Sequence, residues 1–362
     1  MRARIYRAAI AVLGVSLGCG MSVVAAQDAK TTSAPAAAAA PDTKPLAVNV
    51  DNFKRAESDT YFAKFLREAA LGSFHHVREP VPIEKQDVIR MNRDTLYSSA
   101  VVDLEASPAT IVLPNAGKRF MSMQVINEDH YTPKVVYKAG SYTLNKAQVG
   151  TRYALLLVRT FADPNDPADL KAVHALQDTV QLKQSKPGSF VMPNWDAAAL
   201  KRLRDALNAL TAANGGIDSA RMFGPKERVD PVQHLLGSAA GWGGNPVTDA
   251  FYTGLSPTSN DGKVVYKLTV GDVPVDGFWS ISVYNKAGFF EKNPRNMYSV
   301  NNVTAARAAD GSVTVQFGGC SDATPNCLPI TPGWNYLVRL YRPSKAVLDK
   351  SWTFPEAKPA SL

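Results

Sequence analysis

The stretch 95–104, TLYSSAVVDL, places Leu96, Ser98, Ala100, Val102 and Leu104 in one alternating set and Tyr97, Ser99, Val101 and Asp103 in the other. A side-chain period of two belongs to an extended chain, whose successive Cβ atoms point to opposite faces. The segment therefore predicts a strand, and its neighbours repeat the signal. TIVLP (110–114), RFMSMQVI (119–126), PKVVY (133–137) and RYALLLVR (152–159) are short apolar runs parted by turn residues, which predicts an antiparallel first sheet structure.

Upstream the spacing changes. Over 52–70, Phe53, Ala56, Tyr61, Phe65 and Ala69 recur near helical spacing, with Asp51 as a cap and Gly72 as a stop. Downstream, Asp166-Pro167 opens a helix expected to reach about Lys183, and Asn194 caps WDAAALKRLRDALNAL with Leu200, Leu203, Leu207 and Leu210 on one stripe. Asp230-Pro231 opens a short third helix. From residue 263 strands return as KVVYKLTV, GFWSISVYN, NMYSV, SVTVQF and NYLVRLYRP, the rhythm of a sandwich or jelly roll. The expected division is 46–165, a helical segment 166–240 and a C-terminal part 241–362 beginning near the Gly-rich GWGGNP.

The chain begins with Arg2, Arg4 and Arg7, an apolar run from Ala8 to Leu17, and the small residues Val24-Ala25-Ala26. That order predicts a signal peptide over 1–26, cut after Ala26 and leading to a periplasmic or secreted location. Ser16-Leu17-Gly18-Cys19 resembles a lipoprotein box with a serine in the usual leucine place, which leaves an anchor at Cys19 as the less favoured alternative. Residues 27–45, rich in Ala, Pro and Thr, have almost nothing to bury and read as a disordered tether.

Once the three leader arginines are removed, the excess of Lys and Arg over Asp and Glu falls from +8 to +5, without a basic run. A clustered basic face would be needed for nucleic acid, so no nucleic-acid partner is expected. No apolar stretch past the leader approaches the length of a membrane span. Cys320 and Cys327, in GGCSDATPNC, are spaced to close a hairpin loop, and a disulfide is favoured over a metal site because no His follows His234.

The blocks VDNFKRAESDTYF, MNRDTLYSSAVVDL and RFMSMQVINEDHYTPKVVYKAGSYTL resemble the domain of unknown function numbered 1254. DGFWSISVYN, the Asn-rich turn before MYSV, and NCLPITPGWNYLVRLYRP resemble the domain numbered 1214. The resemblance covers roughly 46–357 and implies a mainly β chain: an N-terminal β-sandwich-like domain, a helical insertion and a C-terminal jelly-roll-like β-sandwich. It implies no established activity. Where many members read Asn-Trp-Leu-Pro, this chain has Asn326-Cys327-Leu328-Pro329, so a disulfide can take over the rigidifying part of that tryptophan.

Two polar blocks can carry chemistry. Asn92-Arg93-Asp94-Thr95-Leu96-Tyr97-Ser98 sits where a loop becomes a strand, a place where a rigid scaffold holds reachable groups. An Arg beside an Asp can keep a carboxylate ionised. The same residues can equally shape a turn, with Tyr97 packed. Asn127-Glu128-Asp129-His130-Tyr131 puts two acids and an imidazole at another strand end, although neighbours in a strand point to opposite faces. If the strands from Asp94 and to Asp129 are antiparallel neighbours, Asp94 and His130 meet.

Other features carry less. His75-His76, His174 and His234 lack metal-ligand spacing, the G-x-S-x-G at Gly14 lies inside the leader, and GWGGN lacks the Lys of a phosphate loop. No metal or cofactor is expected. Trp242 reads as an aromatic lid or a packed residue. Trp279, Tyr284, Trp334, Tyr336 and Tyr341 read as core, with an aromatic sugar platform as the alternative.

Two functional readings follow. The preferred one is an exported protein that binds a small-molecule or glycan ligand in a polar pocket, with Asn92, Arg93, Tyr131, Arg159 and Trp242 as ligand contacts. The alternative is a metal-independent hydrolase or lyase using Asp94, His130 and Tyr97 or Tyr131 as acid–base groups, with Arg93 or Arg159 holding an anion.

Overall fold

The computed structural model describes residues 44–86 and 89–360. The signal peptide, Cys19 and the tether as far as residue 43 lie outside the described residues.

After helix α1 (Phe53–Glu68), the N-terminal half runs β1 (His75–His76), β2 (Thr95–Asp103), β3 (Ala109–Leu113), β4 (Met121–Asn127), β5 (Lys134–Val136), β6 (Gly140–Leu144), α2 (Lys146–Val149) and β7 (Tyr153–Phe161). Then come α3 (Pro167–Asp178) and β8 (Gln181–Gln184). The strands form a five-stranded sheet, β1-β2-β7-β4-β5, and a three-stranded sheet, β6-β3-β8. Between them lie Ala100, Val102, Ile111, Met123, Val125, Leu156 and Val158, so the alternation read from 95–104 is the alternation between sandwich interior and outer face. Two details depart from the sequence reading. The helix opened by Asp166 stops at Asp178, and Gln181–Gln184 pairs with β3 as a strand; alternating exposure along QLKQ suits an edge strand rather than a helical stripe. The cap of α1 is Asn52, not Asp51.

On the outer face of the five-stranded sheet lies α1, which packs with α4 (Ala197–Ala213) and α6 (Pro231–Ala240), and α5 (Ser219–Met222) packs on α6. Phe62 of α1 packs on Val101, Ile126 and Leu155 of the sheet, and Phe53 and Ala56 pack on Leu200 and Leu207 of α4 and Leu236 of α6. The cap of α4 is Asp196, which accepts from Ala199 N, rather than Asn194. Trp195 is thus left outside the helix, in an extended segment bridged to Leu46.

The C-terminal half contains β9 (Ala250–Leu255), β10 (Tyr266–Val270), β11 (Trp279–Tyr284), β12 (Ser299–Asn301), β13 (Val313–Phe317), β14 (Cys327–Leu328), β15 (Asn335–Tyr341), α7 (Lys345–Leu348) and β16 (Lys358–Pro359). Two four-stranded sheets, β14-β13-β10-β16 and β12-β11-β15-β9, enclose Trp279, Ile281, Val315, Phe317, Trp334 and Val338 in a jelly-roll-like sandwich. Trp279, Tyr284, Trp334, Tyr336 and Tyr341 are all buried, as core packing requires and a sugar platform does not permit. Cys320 and Cys327 are joined as a disulfide that ties the loop before β14. Among the described residues, no helix is long and apolar enough to cross a membrane.

The halves share their contact surface. Phe161 and Phe120 from the first half pack with Ala250, Phe278 and Tyr341 from the second. Tyr284 and Phe290 pack with Val81, Ile83 and Met91.

Candidate functional site

An open pocket of about 480 Å³ lies where α1 meets the end of the five-stranded sheet. Helix α1 contributes Arg55 and Asp59, whose four-residue spacing puts them on one face. The turn after β4 contributes Glu128, the start of β7 contributes Arg152 and Tyr153, and the extended segment before α4 contributes Val191, Pro193 and Trp195. Asn127 builds the turn: its side-chain oxygen accepts from Asp129 N at 3.0 Å and Tyr131 N at 2.9 Å.

Asp59 is 2% exposed. Its Oδ2 accepts from Trp195 Nε1 at 2.9 Å. Burial pushes its pKa up to about 7, with Glu128 adding to the rise and the Trp195 hydrogen bond and Arg55 opposing it. Glu128 Oε2 accepts from Tyr153 N at 2.9 Å, and its Oε1 lies 3.8 Å from Arg55 Nη1. The pocket thus faces two carboxyl groups held differently, one buried against an indole and one beside a guanidinium.

Every cation around the pocket is already matched. Arg55 grips Asp129 at 2.7 Å, Arg152 forks onto Asp103 at 3.0 and 2.7 Å, and Lys146 meets Glu105 at 2.7 Å. Asp59 holds its proton up to about 7, and Glu128 shares Arg55 with Asp129.

The residues expected from sequence fall elsewhere. Strands β2 and β4 both run antiparallel to β7, which lies between them, so they are parallel to each other. Thr95 pairs with Phe161 at one end of β7 and Asn127 with Ala154 at the other, a separation of about 23 Å at the strand rise. Asp94 and His130 therefore do not meet, which removes the acid–base pairing expected of them and the shared pocket with Tyr97 or Tyr131. The antiparallel-neighbour premise fails because β7, the later strand, is inserted between the two.

Each end has its own network. Asp94, fully buried, accepts from Ser299 Oγ at 3.0 Å across the junction of the halves. Burial raises its pKa, while Arg339, Ser280, Ser299 and Asn301 oppose the rise. Arg93 does not bond Asp94; it donates to the Val81 carbonyl and lies over the Tyr298 ring. Asn92 accepts from Asp94 N and donates to Thr95 Oγ1 and Tyr341 Oη at 3.0 Å each, which is the turn-shaping role. Tyr97 is half-buried near Arg159; desolvation resists its ionisation, but Arg159, Thr95 and Asn92 outweigh it and lower the pKa. Arg159 donates to Gln124 Oε1 at 2.7 Å and to the Gly243 carbonyl at 3.0 Å. Asn92, Tyr97 and Arg159 are thus brought together, at the junction between the halves rather than around the open pocket.

At the opposite end His130 is 2% exposed and has a φ of 65°. Ser238 Oγ spends its proton on the His234 carbonyl at 2.8 Å, so His130 Nδ1–H donates to Ser238 at 2.8 Å and Nε2 accepts from Gly243 N at 2.8 Å. A second ring proton would point at the Gly243 N–H. Burial, then His234 and Lys54, hold its pKa well below the usual value. Trp242 is packed: it stacks on Tyr61 at 4.2 Å and on His130 at 5.2 Å, and its Nε1 donates to Ser58 Oγ at 3.1 Å. Tyr131 stacks on His234 at 4.5 Å. Among the described residues, no group of three or more His, Cys, Asp or Glu could hold a metal ion.

With the geometry in place, comparison with known sequences gives two matches. Residues 71–147 match the family described as "Protein of unknown function (DUF1254)", and residues 254–345 match "Protein of unknown function (DUF1214)". The chain thus carries a DUF1254 match followed by a DUF1214 match. Among solved structures, the VPA0106 protein from Vibrio parahaemolyticus superposes with a TM-score of 0.65 at 17% identity, covering 87% of this chain and 100% of that one, which shows a shared fold. An uncharacterized protein from Burkholderia cenocepacia gives a TM-score of 0.45 at 13% identity, covering 82% of this chain and 86% of that one. No curated protein matches the sequence.

Within this DUF1254–DUF1214 chain, sequence reading named the segment holding Glu128 but passed over Asp59, Arg55, Arg152 and Trp195. An acid four residues after an arginine on a helix ordinarily reads as a solvated pair. The available signal was that Asp59 lies between Ala56 and Phe62, on the stripe that α1 buries.

Proposed function

We propose that this chain is an exported protein that binds a small, neutral, polyhydroxylated ligand, a sugar or short glycan, in the pocket between α1 and the five-stranded sheet. The supporting observation is the chemistry of that pocket: buried and ion-paired polar groups on one wall, Trp195, Val191 and Pro193 on the other, and no unmatched cation to attract an anion. Sites of this kind combine an apolar surface with a few fixed polar groups that set orientation. A guanidinium already paired with a carboxylate still has N–H donors for a hydroxyl, without the net charge an anionic ligand would need. The leader-like start and the Cys320–Cys327 disulfide support export.

The test is native purification from the periplasm followed by mass spectrometry of what travels with the protein. A neutral sugar retained by the wild type and lost from Trp195→Ala is expected. An anionic ligand, or a sugar retained equally by the variant, would refute the assignment.

A further inference from the structure

Building on the proposed sugar site, we infer that the pocket also cleaves a glycosidic bond, with Asp59 as the general acid and Glu128 as the general base. The inference starts from placement. The two carboxyl groups come from unrelated elements, α1 and the turn after β4, yet both line the same cavity. Neither is needed to hold the fold in the way Asp103 or Glu57 is, each of which grips an arginine through both oxygens.

Their fixings suit opposite tasks. Asp59 lines the cavity and receives the indole N–H on Oδ2, which leaves its other oxygen, Oδ1, to carry a proton. Glu128 is oriented by Tyr153 N and lies beside the Arg55 guanidinium, contacts that hold its carboxyl in place at the cavity wall. Two carboxyls from different elements facing one cavity are the arrangement that acid–base cleavage of an acetal demands. The proton held on Asp59 up to about 7 agrees with that division.

The step balances without another reagent. Asp59 gives its proton to the leaving-group oxygen as the bond from that oxygen to the anomeric carbon breaks, and the bonding electron pair stays on the oxygen. A water oxygen forms the new bond to the anomeric carbon while Glu128 takes a proton from that water. The products are two hydroxyl compounds, and exchange with solvent returns the proton from Glu128 to bulk and one from bulk to Asp59.

The experiment uses the mature full chain and a panel of 4-nitrophenyl and 2,4-dinitrophenyl glycosides of the neutral hexoses and pentoses in both anomeric forms. Release of the phenol by the wild type from at least one sugar is expected. Asp59→Asn should then lose about 100-fold or more on the 4-nitrophenyl glycoside and less than about 10-fold on the dinitrophenyl one, whose leaving group needs no proton. Glu128→Gln should lose activity on both, and where that variant does not fold, the leaving-group contrast of Asp59→Asn decides alone. No release from any member by the wild type, or equal losses on both leaving groups in Asp59→Asn, overturns the inference. Co-purification of a neutral sugar in the absence of turnover leaves the binding assignment standing, so failure of chemistry and failure of binding are told apart.

Discussion

Replacing Asp59 by Asn should make the protein more stable in alkali and change it little in acid. The wild-type carboxyl has a folded pKa raised to about 7 from 3.8, so stability linked to its proton is present below 3.8 and is lost as pH rises toward and through about 7. Asn keeps the shape and the acceptor for Trp195 Nε1 and has no charge to bury. Integrating the two titrations, the wild type should lose about 2 to 3 kcal/mol relative to Asp59→Asn between about pH 5 and about pH 8, and almost nothing further above that range. Burial sets most of this loss, with the Trp195 hydrogen bond and Arg55 opposing it and Glu128 and Asp129 adding to it. Urea unfolding of both proteins across that interval measures it directly. Parallel stability curves would show that Asp59 ionises in the fold as it does in the unfolded chain, and the account of the pocket would fail with it.

Asp94→Asn should lower stability by about 1 to 3 kcal/mol, since it removes the charge facing Arg339 and leaves one acceptor oxygen for Ser280, Ser299 and Asn301 together; sugar retention should be unchanged, and loss of sugar without loss of stability would return Asp94 to the site. The His130 ring should remain the neutral Nδ1–H tautomer at about pH 6 by nitrogen NMR, because its depressed pKa means that stability present above 6.5 is lost only as pH falls below it. An imidazolium at that pH would contradict the Gly243 hydrogen bond. Reducing Cys320–Cys327, or replacing Cys320 by Ser, should cost about 2 kcal/mol from the loop-entropy relation, and thiol labelling of the unreduced protein should find neither sulfur free.

The strands were legible where one face is apolar. The alternation over 95–104 and the runs over 119–126, 152–159 and 335–341 all became strands. What escaped was set by partners distant in sequence. QLKQ becomes a strand because β3 offers it an edge, and GSYTL adds to the opposite edge of the same strand. Sheet order was invisible for the same reason: no local signal states that β7 enters between β2 and β4, and that insertion alone separates Asp94 from His130. For the pocket, the sequence displayed Glu128 within a dense polar segment, but Asp59 looked like one helical acid among several. Its raised pKa comes from burial, and the hydrogen bond that fixes it comes from Trp195, which lies 136 residues away.

The Gly-rich turn after α6 looks like a hinge and is bonded as a rivet. Gly243 gives its N–H to His130 and its carbonyl to Arg159, the neighbouring Gly244 carbonyl takes Gln124, and Asn245 reaches Tyr252. With Asn92 on Tyr341 and Asp94 on Ser299, the two family segments are one cooperative unit of manufacture. Expressed separately, each half would present water with the other's aromatic seam and several orphaned polar groups, and genes that carry one segment without a substitute for the other would face an immediate cost in yield. Two sequence families can therefore be inherited as a single object, because the surface between them is interior.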